Sequence, residues 1–178
     1  MSRPSCNRFL RTDRRAIAAV EFALVCGPFT IFLLAVMGAG LQFYVQQVLD
    51  YATQQAVRQV QIGRVTGYTQ ADFVNNIFCP VFGQFQPCAN LFVDMHPVAD
   101  YGTLALPGIP DAPDSTATSG FVFCSGKPGQ LMYAHVVYLA PSIGGALLGA
   151  RSTKPMVANA AFANENPTGA PVPPGSGC

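Results

Sequence analysis

The sequence predicts an α+β protein. A long N-terminal transmembrane helix extends beyond the membrane and packs against a small, mostly antiparallel sheet of about three strands plus one short helix. Three observations predict this. Residues 22–41 are twenty consecutive positions without a charge, interrupted only mildly by Cys26 and Thr30, and twenty helical residues span ~30 Å, the thickness of a bilayer's hydrocarbon core. Beyond Phe43 the apolar positions recur at a spacing of three to four. Further on, three stretches of strand character are separated by connections rich in Gly and Pro.

Composition agrees. Half of the 178 residues are hydrophobic (50%), only 11% are charged, and mean hydropathy is +0.30, against ~25% charged in soluble domains. Such a chain predicts one modest domain with an anchor and excludes a large multidomain enzyme. Its apolar and aromatic content excludes disorder throughout. A net charge of +1 excludes the global basic field of a nucleic-acid binder.

Taken in order, the chain begins with Arg3, Arg8, Arg11, Arg14 and Arg15, opposed only by Asp13. This cluster ahead of the apolar run predicts a cytoplasmic N-terminus. Everything after about Phe43 is then exported; five basic and seven acidic residues follow Glu21, a balance of −2. A buried core helix would need more apolar surroundings than the rest of the chain offers. A cleavable secretory signal, cut near Gly38-Ala39-Gly40, would have a shorter apolar region than this one. Val45, Val48, Leu49, Ala52, Ala56 and Val60 continue the helix as an apolar stripe, with Gln46, Gln47, Gln54, Arg58 and Gln61 on other faces. Gly63 is a natural stop. The expected helix covers residues 17–62, 46 positions or ~69 Å, kinked or loosened at Pro28. Gly27, Gly38 and Gly40 offer small-residue surfaces for close helix approach.

In the exported part, Thr69 can cap a short helix over 70–78 that Cys79-Pro80 ends. Strands are expected over 90–98, 130–139 and 156–163. In the first, Leu91, Val93 and Met95 alternate with Phe92, Asp94 and His96, which places Asp94 and His96 toward solvent. Residues 99–129 read as a long loop and 166–178 as a flexible Pro/Gly tail. The expected organisation is a basic leader (1–16), a membrane helix (17–43), its amphipathic extension (44–63), a small α+β domain (64–165) and the tail.

Cys6 is expected in the cytosol and Cys26 in the membrane. Cys79, Cys88, Cys124 and Cys178 fall in an oxidising space, where three full pairings exist. Cys79–Cys88 is the favoured one; Cys124 can compete for either partner or pair with Cys178. There is no Cys-x-x-Cys knuckle and the only histidines are His96 and His135, so neither a metal nor a cofactor is expected. No nucleophile motif, phosphate loop or dinucleotide fingerprint appears, and an enzyme is not predicted. Tyr133, Tyr138 and the phenylalanines read as core and interface.

Glu21 stands out. A carboxylate just inside an apolar run is costly, and such residues are usually functional; the plainer reading puts it at the membrane interface near Arg14 and Arg15, or at a helix N-terminus. The stretch Arg14-Arg15-Ala16-Ile17-Ala18-Ala19-Val20-Glu21-Phe22-Ala23-Leu24 resembles the N-terminus of type IV pilin-like proteins, most closely the TadE-like minor pilins of tight-adherence (Flp-type, type IVb) pilus systems. The resemblance implies cleavage by a prepilin peptidase after Ala16, where the family usually has glycine. Ile17 becomes the mature N-terminus, Glu21 the fifth residue and Phe22 the sixth. The freed amine on Ile17 would enter an apolar assembly, where a buried cation needs a partner, and in pilins the glutamate of a neighbouring subunit supplies it. More loosely, Cys79 and Cys88 ahead of Asn90-Leu91-Phe92-Val93-Asp94-Met95, Pro128-Gly129-Gln130-Leu131 leading to Tyr138, and Phe162-Ala163-Asn164-Glu165-Asn166-Pro167 are similar to later family segments. Ala163 replaces an arginine there and Asn166 is inserted.

The resemblance further implies a pilin-like fold and a minor pilin that initiates or tips the pilus. Its implied partners are the prepilin peptidase, other major and minor pilins, the inner-membrane assembly platform and the membrane itself, with no nucleic acid. Its implied location is the bacterial inner membrane, single-pass, with the C-terminal domain periplasmic, and the surface pilus after assembly. The von Willebrand-type domain of larger relatives is not expected in this length. The alternative is an unprocessed single-pass membrane protein whose exported domain binds a partner or ligand.

Overall fold

The computed structural model describes residues 7–65, 67–99, 102, 121–141 and 153–165, with side chains from residue 17 onward. Cys6, the tail with Cys178, and most of the expected loop over 99–129 lie outside the described residues. Two compact units, Met1–Gln42 and Phe43–Cys178, divide the chain.

The helix α1 runs Asn7–Gln61, 55 residues with Pro28 inside it. It begins ten positions earlier than expected. Neither Gly nor Pro occurs from Ser5 to Cys26, and the arginines, alanines and leucines of this stretch are good helix formers. Its end is the one Gly63 foreshadows. Gly63 takes φ +76 and donates to Val60 O (2.9 Å), while Arg64 donates to Gln59 O (3.0 Å). These two bonds form a Schellman motif, which satisfies carbonyls the helix would leave open.

In the second unit, α1 presents Val45, Val48, Leu49, Ala52, Ala56, Val57 and Val60 to the core, all buried. Strands β1 (Leu91–Pro97), β2 (Leu131–Pro141) and β3 (Thr153–Ala163) form an antiparallel sheet in the order β1-β2-β3. Register puts Val93, Val136 and Ala158 in one row, and Met95, Ala134 and Ala160 in the next. These rows and the α1 stripe share one core cluster. The fold is therefore a long apolar helix packed against a small three-stranded antiparallel sheet, with short helical segments.

Those segments differ from expectation. The capped helix α2 (Gln70–Phe73) passes into a π-helical turn, Val74–Phe78, and then into α3 (Cys79–Phe82). Cys79-Pro80 thus does not end the helical stretch. The wider π turn lets Pro80 start a fresh α-turn, where its missing N–H is harmless. The disulfide Cys79–Cys88 then ties α3 to the entry of β1, and Cys124 is disulfide-bonded as well.

Asp94 is also placed differently. It is 1% exposed, because residues 121–124 run along the free edge of β1. Met95 donates to Val122 O (2.7 Å) and Cys124 donates to Met95 O (2.8 Å). Asp94 Oδ1 accepts the Val122 N–H (2.7 Å), and its Oδ2 lies 3.0 Å from Nδ1 of the half-buried His96. Phe121 turns onto this outer sheet face beside Phe92 and His135. His135, 2% exposed, bonds Asn159 Oδ1 through Nδ1 (2.7 Å). Burial, and then the nearby Asp94 charge, push the Tyr133 phenol above its usual value. Asn164, 2% exposed, donates its amide to Ser125 O (2.8 Å) and Gly126 O (3.2 Å), which fastens the end of β3 to the turn before β2. Gly126 has φ +70, and a Cβ there would run into the Met132 sulfur.

Two predictions follow from this domain. The Thr69 hydroxyl and then its backbone N–H, both donating to the Asp72 carboxylate (2.7 and 3.1 Å), hold the Asp72 carboxyl below its usual value. A depressed carboxyl contributes stability that is complete above the unfolded value near ~3.9 and fades as pH falls through the folded value. Asp72→Asn is expected to flatten the fall in stability below about pH 4, read as urea midpoints across pH. Replacing Cys79 and Cys88 together by serine frees the loop and is expected to lower stability by roughly 2–3 kcal/mol, checked by urea unfolding of the full chain in detergent.

Candidate functional site

The candidate site is the N-terminal half of α1. Ala16 and Ile17, the expected processing pair, both fall within the helix, as do Glu21, Phe22 and Pro28. Four residues apart, Ile17 and Glu21 share a helix face at about 5–6 Å between Cβ atoms. Ile17 is 57% exposed, Phe22 is 71% exposed, and Glu21 is exposed between them. Ile17 and Glu21 thus lie about one turn apart on an exposed helix face. Each is open to a second molecule.

Around Glu21 the helix is apolar on every side. Its most apolar stretch has mean hydropathy 2.2 and none of it is buried, so it is not a core helix of the described fold. It is long and apolar enough to cross a membrane. Within the stretch the helix itself satisfies one side-chain hydroxyl. Thr30 Oγ1 donates to Cys26 O (2.8 Å), the internal bond that a hydroxyl in lipid requires. Pro28 lacks an N–H and so leaves the Leu24 carbonyl without its usual i+4 donor. At Gly27, Gly38 and Gly40 an added Cβ would meet nothing within 4 Å, which leaves three smooth positions on the helix surface.

A second group of residues lies in the disulfide-closed loop. Phe82 packs edge-on to Tyr138 (4.9 Å between ring centroids) and beside Phe78 (5.6 Å). Phe85 stands outward and meets Tyr44 of α1 edge-on at 6.4 Å. Sequence reasoning marked the loop's cysteines but not Phe85 or Tyr44, because aromatics in a loop follow no period. Gln46, which the sequence places on a face away from the stripe, donates its Nε2 to Val157 O of β3 (2.9 Å) and to Asp50 Oδ1 (3.2 Å).

The chemistry of these positions is that of contact. Among the described residues no group of three His, Cys, Asp or Glu could hold a metal ion. The hollow between Thr53, Phe73, Met95 and Val136 has no room for a water molecule. No curated protein matches the chain, and no solved structure does. Residues 16–58 match the family of TadE-like proteins; the match opens on Ala16, takes in Glu21 and Pro28, and continues through the buried stripe to Val57. The N-terminal helix is TadE-like, consistent with a TadE-like pilin of tight-adherence systems.

Proposed function

We propose that this protein is a minor pilin of a tight-adherence type IVb pilus, cut by a prepilin peptidase between Ala16 and Ile17 and active in starting or tipping the fibre. The observation that carries this reading is Glu21. It is the one formal charge between Arg15 and Asp50, on an exposed apolar helix inside the matched segment. A carboxylate is retained in such surroundings only for a partner, and the amine released at Ile17 on an adjoining subunit is that partner. The precursor sits in the inner membrane with its arginine cluster cytoplasmic and its sheet domain periplasmic, where Cys79–Cys88 oxidises. The protein works through other pilins and the assembly platform rather than by catalysis.

Intact-mass measurement on protein extracted from cells with a working prepilin peptidase is expected to place the N-terminus at Ile17. A chain that still begins at Met1 overturns processing and leaves a single-pass anchor whose exported domain binds a partner. Glu21→Ala is expected to insert into the membrane normally yet fail to enter the pilus, scored by fractionation and by piliation of a complemented deletion strain. Normal piliation by that variant defeats the pairing.

A further inference from the structure

We propose that the disulfide-closed loop, residues 79–88, seats Phe85 in the outer interfacial layer of the membrane beside Tyr44, giving the domain a lipid contact of its own. The inference rests on the reading that residues 22–41 span the bilayer. Tyr44 lies three residues past Leu41 on α1, a rise of ~4.5 Å. That is the depth at which the hydrocarbon gives way to headgroups and where aromatic side chains collect. Phe43 is 72% exposed and Tyr44 49% exposed.

Phe85 joins them from a distant part of the chain, with its ring edge-on to Tyr44 and its side chain 48% exposed. The loop that carries it is suited to lipid in three respects. It contains no charged residue from Cys79 to Cys88. Both of its glutamines hydrogen-bond within the domain: Gln84, itself exposed, donates its Nε2 to Pro80 O (2.8 Å), and Gln86 Oε1 accepts from the Tyr138 hydroxyl (3.4 Å). Its backbone is tied down, with Phe85 and Gln86 both donating to Phe82 O (3.0 and 3.1 Å) and Gly83 pressed against the Cys79 carbonyl so closely that a Cβ would lie 2.6 Å from its oxygen. The result is an uncharged tip, held by internal hydrogen bonds and a disulfide, with an aromatic ring facing out, which suits insertion into an interface.

The chain contains no tryptophan, so a single introduced one reports its own surroundings. Phe85→Trp, Phe32→Trp and Leu131→Trp are placed separately in the full-length protein. Each is reconstituted at low density in phosphatidylcholine/phosphatidylglycerol vesicles. Leu131, exposed, lies seven residues along β2 from Tyr138, ~23 Å at 3.3 Å per residue. Phe85→Trp is expected to show blue-shifted emission, to lose it to lipids spin-labelled near the headgroup, and to resist iodide. Leu131→Trp is expected to lose emission to iodide alone. Phe32→Trp is expected to respond to lipids labelled near the chain ends, which confirms the span. If Phe32→Trp responds to deep labels but Phe85→Trp is quenched by iodide and ignores lipid labels, the loop contact is overturned while the span stands. If Phe32→Trp ignores lipid labels as well, span and contact fall together. Shielding of Phe85→Trp that appears only at high protein-to-lipid ratio assigns the patch to a second copy and also overturns the proposal.

Discussion

One helix is apolar all round along its first half and on a single stripe along its second, and the rest of the structure depends on that difference. Along its second half α1 needs cover on one stripe only, and the sheet supplies it with Leu49, Ala52, Ala56 and Val60 almost fully buried. Its first half has no such stripe. Thirteen large apolar side chains between Ile17 and Leu41 are exposed. Burying them would be worth ~1.5–3 kcal/mol each, together more than the ~5–15 kcal/mol by which a domain is stable. Lipid or other helices would give that half the cover that the sheet gives the other, while the domain beyond Phe43 has a core of its own.

Within that apolar half, the proposed function makes Glu21 the residue that distinguishes an assembling helix from a mere anchor. In the proposed pairing it meets an amine from another subunit in surroundings of low dielectric. Such a pair adds little net affinity, because desolvation offsets most of the attraction. A charge left without its partner, however, costs ~3–5 kcal/mol. Large apolar faces supply the association, and the penalty for misalignment selects the register. A smooth greasy helix would slide; one with a single buried acid and a single buried amine has one position in which both are satisfied.

Features set by local periodicity or by one residue's backbone preference were legible in the sequence. The α1 stripe and the Gly63 stop are of this kind: each position in the stripe is dictated by 3.6-residue spacing, and the stop by glycine's access to positive φ. What a partner element determines was not legible. The start of β3 lies at Thr153 rather than Met156 because β2 continues to Pro141 and pairs it. Asp94 was correctly assigned to the face opposite Val93, but alternation says nothing about what lies on that face, and its cover comes from residues 121–124, almost thirty positions later. Likewise Cys79-Pro80 looked like a stop because the preceding π turn is not visible as a pattern. Of the candidate site, Glu21 could be read directly, as a charge where none belongs. The Tyr44–Phe85 contact could not, since it joins a helix to the tip of a distant, disulfide-closed loop.

Magnitudes also decide what the loop can contribute. Burying one phenylalanine ring is worth ~1.5–3 kcal/mol, a factor of roughly ten to a hundred in population. This is far below the hold of a spanning helix, whose insertion is effectively irreversible, so Phe85 cannot anchor the protein and its loss would not release it. It is nevertheless enough to favour one arrangement of the loop at the interface over many. On the proposed reading, a contact of that size suits a subunit that leaves the bilayer to be assembled: it would hold the aromatic cluster in the membrane and add little to the work of extraction. On that reading, extraction would be governed by the thirteen exposed side chains and by Glu21, whose new neighbours would have to replace lipid with equally apolar surface and one correctly placed amine.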